Sequence, residues 1–526
     1  MRLAASLLVI AAVLGGCGGG GGGGGGGLVP PIAPSGWQSG VYKAASQYAA
    51  MCAAPRTGTD PATGRAYPDR AGTTLDENNW LRSWSNDLYL WFNEVADQDP
   101  SLYSTTAAYF KVLKTVAVTS TGAPKDKFHF TYSTAAWDAL ATSGAQSGYG
   151  AEWVIIADKP PRRIVVAYTQ PGSPAVAAGV NLARGAEVLM VDGVDAVHDG
   201  TAAGVDTINA GLFPSAPNQT HTLQVLDVGA SVPRTISITS ATITNQPVQH
   251  VRTIPNSTGL TGYLLFNDQL ATSEAALLRA FTTLQAANVT ELVLDMRYNG
   301  GGYLDIASEV AYMIAGSTAT AGRTFELTRF NSKHTTTDPV TGQTITPIGF
   351  HSTTMGLSVP SGQLLPALNL KRVFVITGPD TCSASEAVMN GLRGVNVQVI
   401  QIGSTTCGKP YGFYPQDNCG TTYFSIQFQG VNAADFGDYP DGFSPQNVAT
   451  VTNAVLPGCS VADDFTKDLG DVSEARLAAA INYIAVPGTC PAPSGLASVS
   501  ARDRPASAVD GVLGESPLRQ LRLLAH

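Results

Sequence analysis

The stretch "NWLRSWSNDLYLWFNEV", residues 79–95, places Trp80, Trp84, Leu88 and then Trp91 or Phe92 near helical spacing, with polar positions between them. Apolar side chains at every third or fourth position form one stripe of a helix. A small helical domain with these aromatics in its core is therefore predicted over residues 75–144. Over residues 145–245 the pattern changes to short β-type runs, "RRIVVAYT", "EVLMVDG", "HTLQVLDV" and "RTISITSA", broken by Gly and Pro. That texture predicts a β-rich module. Over residues 250–491, apolar runs such as "GLTGYLLFN", "ELVLDMRYN", "KRVFVIT" and "NVQVIQIG" alternate with amphipathic stretches, among them "SEAALLRAFTTLQAAN" and "DIASEVAYMIAG". Such alternation predicts an α/β layer with a largely parallel sheet. The fold class read from the pattern is thus α/β and multidomain, with a Gly-rich tether and lead-in over residues 18–74. A Ser-, Ala- and Arg-rich tail over residues 492–526 is predicted to be disordered.

The first 17 residues, "MRLAASLLVIAAVLGGC", hold one basic residue, an apolar run from Leu3 to Leu14 and small residues before Cys17. This is the layout of a secretory signal, too short for a membrane span. Its "LGGC" ending resembles a bacterial lipobox. That resemblance implies cleavage before Cys17, lipidation of its thiol and, with no acidic residue at position 18, an outer-membrane lipoprotein facing the periplasm or the surface. Ten glycines, Gly18 to Gly27, then suit a flexible tether. A formal charge of −9 argues against a nucleic-acid partner, whose phosphates call for clustered Lys and Arg. Membrane contact is expected through the lipid anchor alone. Export permits disulfides among Cys52, Cys382, Cys407, Cys419, Cys459 and Cys490. Six cysteines allow fifteen pairings, of which Cys407 with Cys419 and Cys459 with Cys490 are the local closures. No cysteine or histidine spacing matches a zinc site, and no metal or cofactor is expected.

The chemistry centres on "TCSASEAVMNGL", residues 381–392. Ser383 and Glu386 fit a helix capping box. Ser383 also lies where the strand "RVFVIT" and a Gly-Pro turn feed a helix, the edge at which open α/β sheets bind ligands, so it is equally placed to be a nucleophile. The next strand, "VQVIQIG", exits into "STTCGKPYGF", which carries Lys409 26 residues after Ser383. If the two strands are parallel neighbours, Ser383 and Lys409 meet at one edge, and a desolvated lysine amine can serve as base to a serine. "VLDMRYNGGGYLD" ends another strand in Gly300 to Gly302. These glycines read either as a tight turn or as a nest of amides able to hold an oxyanion. A serine–histidine hydrolase using His334 or His351 is a further reading, although no G-x-S-x-G elbow occurs.

Taken in order, "LDMRYNGGGYLDIA", "TCSASEAVMNGL" and "GSTTCGKPYGF" resemble the motifs of the tail-specific, or C-terminal-processing, serine peptidases. Ahead of them, "GSPA…AG" and "GAEVLMVDG" resemble a PDZ domain, with "GYG" at 148–150 at its carboxylate-binding loop. The resemblance spans roughly residues 75–460. It implies a crotonase-like α/β core and endopeptidase activity on polypeptide substrates by acyl transfer. It further implies Ser383 as nucleophile, Lys409 as base, an oxyanion hole of the Ala384 amide with that of Gly301 or Gly302, and peptide capture at Gly148, Tyr149 and Gly150. Oligomeric state is not implied. Phe413 stands where the family often carries a glutamine that orients the lysine, so here that orientation has to come from elsewhere. A disulfide between Cys407 and Cys419 would pin the base loop. The rival reading is a peptide-binding lipoprotein with a degenerate site.

Overall fold

The computed structural model describes residues 37–257, 259–448, 454–495 and 521–523. The signal sequence, Cys17 and the glycine tether lie outside them, as does the tail beyond residue 495 apart from a strand at Leu521–Leu523.

Helix α1, Thr74–Leu88, starts in a reciprocal cap: Asp76 donates its amide to Thr73 Oγ1 at 3.2 Å, and its carboxylate accepts the Thr73 amide at 2.9 Å. Trp80 and Trp84 stack at 5.2 Å and are buried with Leu88, Phe110 and Tyr423. The predicted aromatic stripe is thus core, although the helix ends before Trp91. Within the expected lead-in, Met51–Cys52 pairs with Arg70–Ala71, and Cys52 is disulfide-bonded to Cys419. After a short helix at Thr106–Phe110, helix α2 spans Thr134–Ser143.

Between α1 and α2, His129 stacks on Phe110 at 3.8 Å, and its Nε2–H donates to the Phe110 carbonyl at 2.9 Å. Burial pushes its pKa down to about 4, against the pull of Asp126. An unfolded histidine protonates near pH 6.5, so between pH 6.5 and 4 the unfolded state binds the extra proton. This histidine's contribution is therefore complete above pH 6.5 and is lost as pH falls, with a cost on the order of 3 kcal/mol by pH 4. Denaturant unfolding at pH 7.5 and pH 4.5 should show His129→Gln losing less stability across that interval than the parent.

The β-rich module is an antiparallel sheet of β1 (Ala151–Ala157), β2 (Arg163–Thr169), β3 (Glu187–Val191), β4 (Thr220–Leu226) and β5 (Arg234–Thr239), in spatial order β5-β4-β3-β2-β1. Its inner face, with Trp153, Val166, Val188 and Leu223, packs on helix α3, Ala202–Leu212. β1 and β5 are its two edge strands.

The central sheet runs β6 (Val248–Asn256), β7 (Gly259–Phe266), β8 (Glu291–Asp295), β10 (Arg372–Thr377), β11 (Gln398–Gly403) and β12 (Gly458–Ser460). β9, Gly301–Tyr303, lies outside it. β6 is antiparallel to β7 and every other pairing is parallel. The continuously apolar runs mark strands covered on both faces. Helices α4 (Ser273–Ala286), α5 (Leu304–Ala315) and α6 (Ala384–Gly394) cover one face. Helix α7, Ala475–Ala485, covers the other, sharing it with Val154, Val165 and Tyr168 of the β-rich module. The predicted α/β multidomain class is the one observed.

Two disulfides in this region are Cys382–Cys407 and Cys459–Cys490. The second is the expected local closure, but Cys407 does not pair with Cys419. The Cys407 amide bonds the Thr381 carbonyl at 3.0 Å, which sets Cys407 beside Cys382. Cys419 instead follows Asn418, whose Oδ1 accepts the Ala50 amide at 2.9 Å next to Cys52. Sequence proximity favoured a twelve-residue loop, whereas the parallel crossover between β10 and β11 brings the more distant partner closer.

Candidate active site

β10 and β11 are adjacent and parallel, with Thr377 opposite Gly403, so their exit loops share one edge. The first loop delivers Ser383 to the start of α6 in an unusual conformation, φ 61° and ψ −114°. Its amide donates to Glu386 Oε2 at 3.0 Å. Its hydroxyl has no hydrogen-bond partner among the described residues, although the residue is fully buried. The glutamate half of the capping box therefore forms, while the serine hydroxyl is left unused by the helix.

Glu386 also binds the second loop. Its carboxylate accepts the amides of Gly408 at 2.9 Å and Lys409 at 2.8 Å, and the Thr406 hydroxyl. The Ser383 and Lys409 amides bond the same oxygen, so one atom fastens both backbones. Burial pushes the pKa of this carboxyl up, opposed by Thr406 and the three amides. The Cys382–Cys407 bridge, Cα to Cα 5.1 Å, ties the loops a second time. Cys382, Glu386 and Cys407 cluster closely, but both sulfurs are in the disulfide and no thiolate is offered to a metal.

Lys409 is buried, with Nζ 4.1 Å from the ring centre of Phe413 and 4.9 Å from that of Phe128. Phe413 therefore flanks the amine in place of a glutamine. Phe128 reaches it from the segment between α1 and α2, and nothing in its sequence setting, "DKFHF", marks it for this role. Gly408 has φ 82°, and a Cβ there would stand 2.3 Å from the Pro440 carbonyl. The stretch "FGDYPDGFSPQN" thus backs the lysine loop, with the Thr406 amide on the Phe443 carbonyl and the Phe443 amide on Thr406 Oγ1. His334 and His351 are bound elsewhere, to Asp87 at 3.0 Å and to Asp305 at 2.9 Å.

The glycine run is held from below. Arg297 is fully buried between Asp295, Glu474 and Asp463, at 2.7–2.9 Å. Burial alone would raise the Asp463 pKa, but Arg476, Arg297 and Arg184 hold it well below the usual carboxylate range. Arg184 belongs to the β-rich module and also donates to the Tyr298 hydroxyl at 2.6 Å, so the cluster links that module to the residues entering the glycine turn. Asn299 Nδ2 donates to the Phe266 carbonyl, and Asn299 Oδ1 accepts the Gly301 amide at 3.0 Å. Gln269 fastens β9 by accepting the Tyr303 amide and donating its own to the Gly301 carbonyl, while its side chain donates to Ser385 Oγ. The Gly302 amide points to the opposite edge of β9, because successive groups of a strand alternate. A Cβ at Gly302 would lie 2.1 Å from the Gln269 carbonyl, so the strand can approach this closely only with glycine. Ala384 opens α6, and a first-turn amide has no intrahelical acceptor. Of the predicted amides, that of Gly301 is occupied by Asn299, and that of Gly302 lies on the edge of β9 that pairs with Leu521–Leu523.

Residues 260–413 match the model of Peptidase family S41. The chain contains an S41 peptidase domain. This domain includes Gly301, Gly302, Ser383, Ala384 and Lys409, whereas Gly148, Tyr149 and Gly150 precede it. A carboxyl-terminal-processing protease of Picosynechococcus sp. is 28% identical over 178 residues, which are 33% of this chain and 39% of that protein, so the match spans well under half of the relative. A crystal structure of a protein assigned to the S41 proteases of Bacteroides fragilis superposes with a TM-score of 0.56 at 24% identity, covering 80% of this chain and 97% of the other. That likeness is one of fold, and it extends beyond the S41 domain.

A groove of about 710 Å³ joins the two modules. Gly148, Tyr149, Gly150 and Trp153 line one part, and Gly300 and Gly301 line another. The Tyr149 ring is buried, and its hydroxyl donates to the Gly211 carbonyl at 2.9 Å.

Proposed function

We propose that this protein is a serine endopeptidase that cleaves exported polypeptides through an acyl-enzyme. The observation that carries this reading is the single Glu386 oxygen bonded to the amides of both Ser383 and Lys409, while the Ser383 hydroxyl stays unpaired. Lys409 takes the hydroxyl proton as Ser383 Oγ attacks the scissile carbonyl, forming the C–O bond. The amides of Gly302 and Ala384 hold the oxyanion, collapse breaks the C–N bond as the proton passes to the leaving amine, and water then hydrolyses the ester. Water is kept from the lysine by Phe128 and Phe413.

The β-rich module is proposed to act as a PDZ-like receptor. A peptide adds to the outer edge of β1, its terminal carboxylate at Gly148–Gly150, and the continuous groove leads it to the glycine strand. Disulfide content agrees with an oxidising, exported setting, and anchoring through a lipidated Cys17 belongs to the same proposal.

The test is mass-spectrometric detection of cleavage in unstructured polypeptides with apolar C-termini, using protein without residues 1–27. Parent protein should cleave, Ser383→Ala and Lys409→Ala should not, and His334→Ala and His351→Ala should retain activity. If parent and variants bind the peptides but none cleaves, the chain is a peptide-binding protein and the peptidase reading is wrong.

A further inference from the structure

β13, Leu521–Leu523, pairs in parallel with β9, placing Leu521 opposite Gly301, Arg522 opposite Gly302 and Leu523 opposite Tyr303. It also runs beside Tyr411–Gly412, just after Lys409, and beside α6, which begins after Ser383. Gln269 holds the far edge of β9, with the Gly301 carbonyl and the Tyr303 amide turned towards it. The edge left to β13 is therefore the one to which Gly302 presents its amide and carbonyl. The same amide is the oxyanion donor named above. A backbone segment in this position is bounded by the glycine strand, the lysine loop and the serine helix.

We infer that the segment Leu521–Leu523 is a built-in ligand of the peptidase site. It occupies the strand position beside Gly301–Tyr303 that an extended polypeptide substrate would take, and substrates must displace it. The inference rests on the peptidase reading for its functional consequence, but not for the docking itself. It also names how a substrate is held: by parallel strand addition to β9, through main-chain bonds that accept many sequences. Occupancy by the chain's own segment then acts as a competitive brake, released when substrate is abundant or when the segment is drawn away.

Leu523→Pro in the full chain removes a backbone N–H from β13 and disfavours strand pairing. Two readouts separate the possibilities. In a Ser383→Ala background, hydrogen–deuterium exchange should show peptides covering residues 300–304 exchanging at least tenfold faster with Leu523→Pro than without it. A labelled synthetic peptide of residues 515–526 should bind the Leu523→Pro protein several-fold more tightly than the protein with Leu523. In the active protein, Leu523→Pro should lower the KM for an unstructured polypeptide several-fold and leave kcat unchanged. Unchanged exchange and unchanged peptide affinity would overturn the docking. Faster exchange with an unchanged KM would overturn the competitive brake. Absence of cleavage by every form, with the exchange difference present, would sink the peptidase reading while leaving the docking in place. Protection that disappears on dilution of the protein would show the segment to come from a second copy and would overturn docking within one chain.

Discussion

Replacing Ser383 with glycine is expected to give a protein that is inert and yet more stable than its parent. Ser383 sits at φ 61° and ψ −114°, at the start of α6. A residue with a Cβ held in such a sparsely populated region costs about 1–3 kcal/mol. Glycine removes that cost, although it adds roughly 0.5–1 kcal/mol of backbone entropy to the unfolded chain. The buried, unpaired hydroxyl disappears as well, which is favourable because no partner is left without its bond. The net gain should be about 1 kcal/mol. Cleavage should fall by at least about a thousandfold, the usual consequence of removing a nucleophile. Ser383→Ala is the control: it removes the proposed nucleophile with its hydroxyl but keeps the Cβ and its strain, so it should be equally inert and gain less stability. Unfolding curves and cleavage rates for the three proteins decide the matter. A glycine variant less stable than the alanine variant would mean that the Ser383 conformation carries no cost.

Such a signature, stability gained as activity is lost, belongs to a site whose geometry works against the local preferences of the chain. It also explains which features were legible in the sequence. The parallel α/β core could be read from apolar runs and their alternation with helices, because burial on both faces leaves no polar gaps in strands such as Val373–Ile376. The approach of the Ser383 and Lys409 backbones to one Glu386 oxygen followed from two adjacent parallel strands sharing an exit edge. Phe128 was illegible, since it lies about 280 residues from Lys409 and its position depends on how the segment between α1 and α2 packs on the lysine loop. The Cys382–Cys407 bridge was missed because loop length is a weak guide to distance once a crossover intervenes. Gln269 gave no signal, as its work at β9 is done mostly by its main chain. The role of Glu386 was half legible. A capping box predicts a bond to the Ser383 amide, but not that the same carboxylate would gather a second loop.

That second function makes Glu386→Ala the substitution with the broadest expected damage. The change strands the amides of Ser383, Gly408 and Lys409 and the Thr406 hydroxyl in a fully buried place. Each buried donor left without a partner costs roughly 1–3 kcal/mol. Some recover bonds by relaxation or by water entering the cavity, so a total loss of about 3–5 kcal/mol is expected. The Cys382–Cys407 disulfide still joins the loops, so the protein should fold, but Ser383 and Lys409 lose their common anchor. Turnover should drop by about a hundredfold or more, since small misplacements of reacting groups have effects of that size. Glu386→Gln separates anchoring from packing. It fills the same space, yet its single carbonyl oxygen can face only one set of donors while its NH2 is pressed against the other. Its stability and kcat should fall between parent and alanine variant, with KM little changed because the groove is untouched. Thermal unfolding with and without reductant checks the division of labour. Reduction should destabilise the Glu386→Ala protein more than the parent, because the disulfide is then the main remaining tie between the two loops. Equal sensitivity to reductant in both proteins would show that Glu386 does not share this task.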